Sequence, residues 1–340
     1  MEINLLSGFF IVLSIVVLII ALISHNRRKQ EKRHRQQSHN ELKDHHPKPN
    51  TVATFERDHD DFERYNVESS NQSVGAAVTH SKGVLPINWS AATKWPGKIS
   101  GVYDQERCGS CWAFATSNQF SDRLKIKYGE SVLPNGDYLS PFHLAACIKC
   151  GVNQACPRVC EGNYLDEVCQ YLVTDGAIGQ GVIDKYSKQG DEYRCFDFAK
   201  HGLKTHKAKK KYRVNLYSPT MLKGNKNLLD KNEEAIRREI FDHGPVSCIV
   251  KVFTPQDKRN FYVYDTGIYG EGWKSEPKES EGYHAINIIG WGQEHTTNGL
   301  VKFWIVRNSW GNTWGSNGLG RIVRGQNFGM IESDIWALEV

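Results

Sequence analysis

The 340-residue chain lacks a strong charge of either sign over most of its length. Its 43 Lys and Arg residues and 38 Asp and Glu residues give a formal net charge of +5, and residues 25–50 carry eight basic but only three acidic residues. With Glu2 also counted, the part from residue 51 onward has a net charge of only +1. This part lacks the excess of positive charge that nucleic-acid binding needs, so we expect no nucleic-acid partner.

The sequence is not poor in the residues that build a core, which excludes a wholly disordered or fibrous protein. Hydrophobic residues make up 39% of the chain, which contains 9 Trp, 14 Tyr and 14 Phe. The length suits two domains, or one large domain with accessory segments. No internal repeat is evident.

Residues 3–23 contain no charged residue. As a helix they would be about 31 Å long, which matches a hydrocarbon core of about 30 Å. They lack a basic segment in front and a small-residue cleavage site behind, so residues 1–24 are predicted to form a membrane-spanning signal-anchor, with a secretory signal peptide as the alternative. A buried core helix is disfavoured because no face of the run is polar.

The residues that follow are polar and show no helical or strand period. Residues 25–83 are therefore predicted to form a linker with a short pro-segment in its second half. The basic residues of the linker favour the cytoplasmic side of a membrane, whereas the cysteines discussed below favour an oxidising lumen, and this conflict stays open. Glycosylation sequons at residues 71–73 and 88–90 matter only in a lumen.

The most informative stretch of the chain is QERCGSCWAF at residues 105–114. Residues 112–128 have the pattern of a helix, and Gly129 is a stop signal. Cys111 then stands at the N-terminus of this helix, where the helix dipole and the free N–H groups stabilise a thiolate. The two small residues before it allow a sharp turn into the helix. Cys111 is therefore a candidate nucleophile.

A nucleophilic thiolate needs a partner that handles its proton. Of the 13 His residues, His284 lies in a strand-like apolar stretch, YHAINIIGWG at residues 283–292. Asn308 ends a second such stretch, FWIVRNSWG at residues 303–311, and its amide oxygen can accept the imidazole N–H and orient the ring. Trp310 can cover that hydrogen bond and keep water out.

Together these motifs resemble those of papain-family cysteine peptidases, and the resemblance extends from about residue 84 to the last residue. It places Cys111, His284 and Asn308 on the nucleophile, the base and the orienting amide of that family. It also places Gln105 on the side chain that completes the oxyanion hole together with the Cys111 N–H.

The resemblance implies an α+β, papain-like two-lobe fold with the active site in the cleft between the lobes. Residues 84–213 would form a helical lobe that carries Cys111, and residues 214–340 a β-barrel-like lobe that carries His284 and Asn308. The implied reaction is peptide-bond hydrolysis through a Cys111 thiolate and a His284 imidazolium, with a thioester acyl-enzyme. The partners are peptide or protein substrates. We expect no cofactor and a monomeric catalytic domain.

The chain has nine cysteines, and four of them within residues 147–160 have a spacing that a four-thiolate zinc site would also show. The resemblance implies disulfide bonds instead, which pair Cys108 with Cys160 and Cys147 with Cys195. Cys150 and Cys156 could then pair and close a small local loop. Such bonds favour an oxidising compartment, either an endolysosomal lumen or the extracellular side. Cys169 and Cys248 are expected to be buried thiols or to pair with each other.

The nearest branches of the family are cathepsin B and cathepsin X, but the insertions that capture a substrate's C-terminus in those branches are missing. We therefore expect endopeptidase rather than exopeptidase activity, and a non-catalytic binding protein is the third alternative. Gly162 is expected to pair with the substrate backbone, while Asn163 narrows the non-primed subsites. Asp334 would accept Arg at P2, or else is an ordinary surface residue. Trp310 completes the candidate substrate-binding residues.

Overall fold

A computed structural model describes residues 83–133, 138–151, 156, 158–182, 195 and 197–340 of the protein. The predicted membrane anchor and nearly all of the predicted linker lie outside these residues. Among the described residues, no helix combines the length and the apolar character that crossing a bilayer requires.

The described residues form helices and strands in a mixed order. The α-helices are α1 (Ala91–Lys94), α2 (Cys111–Tyr128), α3 (Pro141–Cys150), α4 (Leu165–Thr174), α5 (Pro219–Leu222) and α6 (Lys226–His243). The strands are β1 (Trp89–Ser90), β2 (Lys210–Arg213), β3 (Val246–Phe253), β4 (Ser280–Thr296), β5 (Gly299–Arg307), β6 (Leu319–Val323) and β7 (Ile335–Glu339). Short 3₁₀ turns lie at Glu130–Val132, Ala199–His201, Phe261–Val263 and Phe328–Met330.

The strands form one antiparallel sheet in the order β2–β7–β3–β4–β5–β6, and β1 pairs with β4 outside this path. Strand β4 carries His284, and Asn308 directly follows β5. The register between these two strands places Asn287 opposite Arg307. The strand segments that carry the two predicted catalytic side chains therefore lie side by side.

Strand β3 separates two apolar cores because successive side chains point to opposite faces of a sheet. Cys248, Val250 and Val252 belong to a core inside the sheet, which is rich in aromatic residues. Ile249 belongs to a second core, which the helices build around Cys111. One core lies among helices and one within the sheet, which is the arrangement expected of a two-lobe α+β protein.

Helix α2 is the central element of the helical core, and all residues from Cys111 to Lys125 are buried. The predicted helix is therefore present and begins at Cys111 itself. It ends at Gly129, whose φ of +88° is a backbone conformation that L side chains rarely adopt. A helix buried on all sides must find partners for its polar side chains, and Asp122 and Arg123 find them on other elements.

Three disulfide bonds hold the helical part of the chain. Two are those that the family resemblance implies, and the third closes the predicted local loop. They join Cys108 to Cys160, Cys147 to Cys195, and Cys150 to Cys156. The four thiols of the alternative zinc site are all used in these bonds, so that interpretation is wrong. Cys169 and Cys248 are buried thiols. Disulfides of this number indicate folding in an oxidising compartment, lumenal or extracellular.

Candidate active site

Cys111 is the first residue of α2 and is 1% exposed. The side chain of Ser110, the N-cap residue, makes no capping hydrogen bond, although its carbonyl oxygen accepts the N–H of Ala113 at 2.9 Å. The Ser110 side chain therefore does not offset the partial positive charge at this end of the helix. A charge of this sign at a helix N-terminus is of the kind that stabilises thiolates.

His284 and Asn308 form a hydrogen bond in which His284 Nε2 lies 2.7 Å from Asn308 Oδ1. The same Oδ1 accepts the backbone N–H of Ser309 at 2.7 Å, which assigns this atom as the amide oxygen. An amide oxygen only accepts, so Nε2 carries the proton and donates it. In the neutral ring, Nδ1 is then the basic nitrogen.

The strand segment around His284 borders the helical core. Ala285 lies in the same apolar core as Cys111, and Tyr283 packs against that core. His284 Nδ1 is buried and has no hydrogen-bond partner in the part of the chain that the structure describes. A buried basic nitrogen without a donor is suited to accept a proton.

The Trp310 ring lies against the imidazole of His284. Its ring stacks on the imidazole with centroids 4.4 Å apart and an angle of 30° between the planes. Tyr262 stacks on Trp310 at 5.0 Å and 16°. The aromatic layers keep water from the hydrogen bond, which strengthens it and restricts rotation of the imidazole.

Three hydrogen bonds hold Gln105 in a fixed orientation. Its Oε1 accepts the Ser309 hydroxyl at 2.6 Å, its Nε2 donates to the Cys108 carbonyl at 2.7 Å, and its N–H donates to the Ser309 carbonyl at 2.8 Å. A side-chain amide held in this way is a preorganised donor of the kind that an oxyanion site requires.

Burial lowers the pKa of His284 to about 4, and the hydrogen bond to Asn308 opposes this shift only in part. The neutral imidazole is therefore the stable form at neutral pH, whereas the sequence predicts an imidazolium. A positive ring is stable in this buried site only beside a negative charge.

This geometry agrees with the known family that matches the chain. The family described as papain family cysteine protease matches residues 85–338. The chain belongs to this family.

Relatives of the chain include a cathepsin B-like cysteine proteinase of Schistosoma japonicum. The two are 31% identical over 271 residues, which is 74% of this chain and 72% of the relative. Tubulointerstitial nephritis antigen of Homo sapiens is 33% identical over 267 residues, which is 74% of this chain and 51% of that protein. The chain thus spans about half the length of this second relative.

Solved structures of the papain type share the fold. The chain superposes on proCathepsin B S9 from Trypanosoma congolense with a TM-score of 0.60 and 21% identity, over 86% of this chain and 88% of the other. For procathepsin L 3 of Tenebrio molitor the TM-score is 0.53 at 23% identity, over 77% and 72% of the two chains. This likeness, with the helical and sheet cores, shows the papain-like α+β fold.

In this chain, Gly162 and Asn163 of the predicted substrate-pairing segment make hydrogen bonds within the protein. The Lys149 ammonium donates to the Gly162 carbonyl at 2.6 Å, so one acceptor site that a substrate N–H would use is already taken. Asn163 is 4% exposed, and its Oδ1 accepts the N–H of Tyr164 at 3.0 Å. Its Nδ2 has no partner among the described residues.

Asp334 is buried rather than on the surface, with 7% exposure. Its carboxylate accepts the indole N–H of Trp336 at 2.8 Å and lies 3.3 Å from the Arg213 guanidinium. Burial raises the pKa of Asp334, and the charge of Arg213 opposes that shift. Because Arg213 already matches its charge, Asp334 has less capacity to attract an Arg side chain of a substrate.

Three residues of this site are not among those that the sequence motifs indicate. Ser309, which orients Gln105, directly follows Asn308, so its place in the motif is a signal that could have revealed it. Lys149 and Arg213 carry no such local signal. Each becomes important only because the fold places it against Gly162 or Asp334.

Proposed function

We propose that the protein is a cysteine endopeptidase that cleaves extended peptides through Cys111, His284 and Asn308. The observation that supports this most directly is the bond between His284 Nε2 and Asn308 Oδ1, which leaves Nδ1 as the base. The reaction would take place in a cleft between a helical lobe at residues 84–213 and a sheet lobe at residues 214–340.

In the proposed reaction, the Cys111 sulfur attacks the carbonyl carbon of the peptide and its proton passes to His284 Nδ1. The C–N bond then breaks, and the same proton moves to the leaving amine. The thioester that remains is attacked by a water molecule whose proton His284 accepts. The proton then returns to the sulfur as the acid product leaves, so the enzyme is regenerated.

The negative oxygen of the tetrahedral intermediates would lie between the Cys111 N–H and the side-chain amide of Gln105. The fixed orientation of Gln105, with Oε1 held by Ser309, supports this role because a preorganised donor needs no rearrangement during the reaction. Loss of one such donor typically lowers the rate by about 10² to 10³.

Internal peptide bonds are the proposed substrates because the sequence lacks the insertions that capture a substrate's C-terminus in cathepsin B and cathepsin X. Only two residues separate Gln105 from Cys108, and neither is a histidine. At P2 we propose an apolar side chain, since the charge of Asp334 is matched by Arg213. The engaged carbonyl of Gly162 implies that recognition depends on side chains more than on pairing of main chains.

Labelling with a peptidyl epoxide, which alkylates a reactive thiolate, tests the catalytic assignment. Purified wild-type protein should be labelled at Cys111, and Cys111→Ala should abolish both labelling and peptide hydrolysis. Labelling that persists in Cys111→Ala would contradict the assignment. Absence of both labelling and hydrolysis in the wild type would favour the non-catalytic alternative.

Peptides of identical sequence with free or blocked ends separate the two kinds of peptidase. An endopeptidase should cleave a library with acetylated N-termini and amidated C-termini at internal bonds. If products are released only from peptides with a free end, the exopeptidase alternative is correct.

A further inference from the structure

A buried polar cluster joins the three elements that carry the catalytic residues. We call it the Asp122 cluster; it consists of the side chains of Asp122, Asn287 and Arg307 and the main chain of Ser100 and Ala115. The side chains of Arg307 and Asp122 are only 1% and 0% exposed.

The guanidinium of Arg307 is the centre of this cluster. It lies 2.8 Å from the Asp122 carboxylate, and it donates to the Asn287 amide oxygen at 2.9 Å and to the Ser100 carbonyl at 2.7 Å. The second oxygen of Asp122 accepts the Ser100 N–H at 2.6 Å. The Asn287 amide nitrogen donates to the Ala115 carbonyl at 2.8 Å. Each charged group therefore has several partners, which a buried ion pair requires.

Three members of the cluster are close along the chain to a proposed catalytic residue. Ala115 lies one helical turn after Cys111 on α2, Asn287 lies three residues after His284 on β4, and Arg307 directly precedes Asn308. Asn287 and Arg307 also face each other in the sheet register. The cluster thus connects α2 to both strands.

We propose that Asp122, Asn287 and Arg307 are positioning residues that hold the Cys111 helix in register with His284 and Asn308. This inference rests on the proposed peptidase function and deepens it. Charge-assisted hydrogen bonds have narrow geometry, and side chains in a packed interior cannot shift without moving their neighbours. A misplacement of about 1 Å between reacting groups can lower the rate by about a hundredfold.

A second buried ion pair on the same helix provides a matched control. Arg123, the next residue, lies 2.8 Å from Glu239 of α6, and both side chains are 2% exposed. Arg123 also donates to the carbonyls of Gly244 and Pro245, at 3.1 and 2.9 Å. None of these partners belongs to β4 or β5. Loss of this pair should therefore reduce stability without changing the alignment of the catalytic groups.

The experiment compares Asp122→Asn with Glu239→Gln in the full chain, using a blocked peptide substrate. For each we measure kcat, KM, the pH dependence of Cys111 alkylation by iodoacetamide, and the free energy of unfolding. Asp122→Asn should lower kcat by about tenfold or more while KM stays within about twofold. Its alkylation profile should shift along the pH axis, because the thiol and the imidazole no longer titrate at the same separation. Glu239→Gln should leave kcat and the alkylation profile unchanged.

Arg307→Lys is the conservative second variant, and it alone provides the test if Asp122→Asn does not fold. Lysine keeps the charge opposite Asp122 but cannot bind Asn287 and Ser100 at the same time, so kcat should fall by about threefold or more. If both variants keep the kcat of the wild type, or lose it in the same proportion as Glu239→Gln at equal stability, the inference is wrong. A wild type that is inactive and unlabelled at Cys111 would refute the proposed function instead, and so the two failures are distinguishable.

Discussion

Replacing His143 with Asn tests how far a buried neutral imidazole limits the stability of the protein in acid. His143 lies on α3 and is 2% exposed, and its Nδ1 accepts the N–H of Ile178 at 3.3 Å. Its ring packs edge-to-face with Phe198, with ring centroids 4.3 Å apart. Its Nε2 has no partner among the described residues. Burial lowers the pKa of His143 to about 3.

The direction of the pH effect on stability depends on which state binds the proton. In the unfolded chain the pKa of a histidine is about 6.5. Between pH 6.5 and 3, residue 143 is therefore protonated in the unfolded state but stays neutral in the native state. Stability is therefore complete above pH 6.5 and decreases as the pH falls towards 3. Between pH 7 and pH 5 this residue should reduce the free energy of unfolding by about 2 kcal/mol. His284, with its pKa near 4, should contribute about as much again.

The assay is urea unfolding at pH 7 and pH 5, with the disulfides intact and in a Cys111→Ala background to prevent self-cleavage. Asn can keep the acceptor for the Ile178 N–H but does not titrate. Between pH 7 and pH 5, the free energy of unfolding of His143→Asn should therefore decrease by about 2 kcal/mol less than that of its parent. His295→Asn, at an exposed position, is the control and should match the parent. If His143→Asn also matches the parent, the reasoning about the buried imidazole is refuted.

Three further predictions concern activity. Protonation of His284 Nδ1 removes the base, so kcat/KM on a blocked peptide should fall as the pH drops through about 4, the pKa of His284. A fall in kcat/KM centred near pH 6.5 would contradict the effect of burial on this pKa. Asn308→Ala should lower kcat by about tenfold or more, because His284 Nε2 loses its acceptor. An unchanged kcat in steady-state kinetics would count against an orienting role of Asn308. Arg213→Met should raise the preference for Arg over Leu at P2 by about tenfold, because Asp334 then lacks its ion-pair partner. The preference is the ratio of kcat/KM for two substrates that differ only at P2. An unchanged ratio would exclude Asp334 from recognition at P2.

Local pattern was sufficient for the helix that carries Cys111 and for the order of the catalytic motifs. A run of helix-forming residues closed by Gly129 defines α2, since a residue with positive φ ends a helix wherever the chain is placed. Each motif around Cys111, His284 and Asn308 is a continuous stretch of sequence, so the sequence alone shows the resemblance to papain-family peptidases. The membrane anchor predicted for residues 1–24 lies outside the described residues and stays a prediction.

The charge partners could not be read from the sequence, because an ion pair has no local pattern. Asp122 and Arg307 are 185 positions apart, and the sequence offers many other acidic and basic residues for each to bind. Folding decides the pairing by excluding water from a few sites, where an unmatched charge costs several kcal/mol. The same exclusion of water lowers the pKa of His284 and directs Arg213 to Asp334. Residue types thus identify the chemistry, whereas packing sets the ionisation and the neighbours of each reacting group.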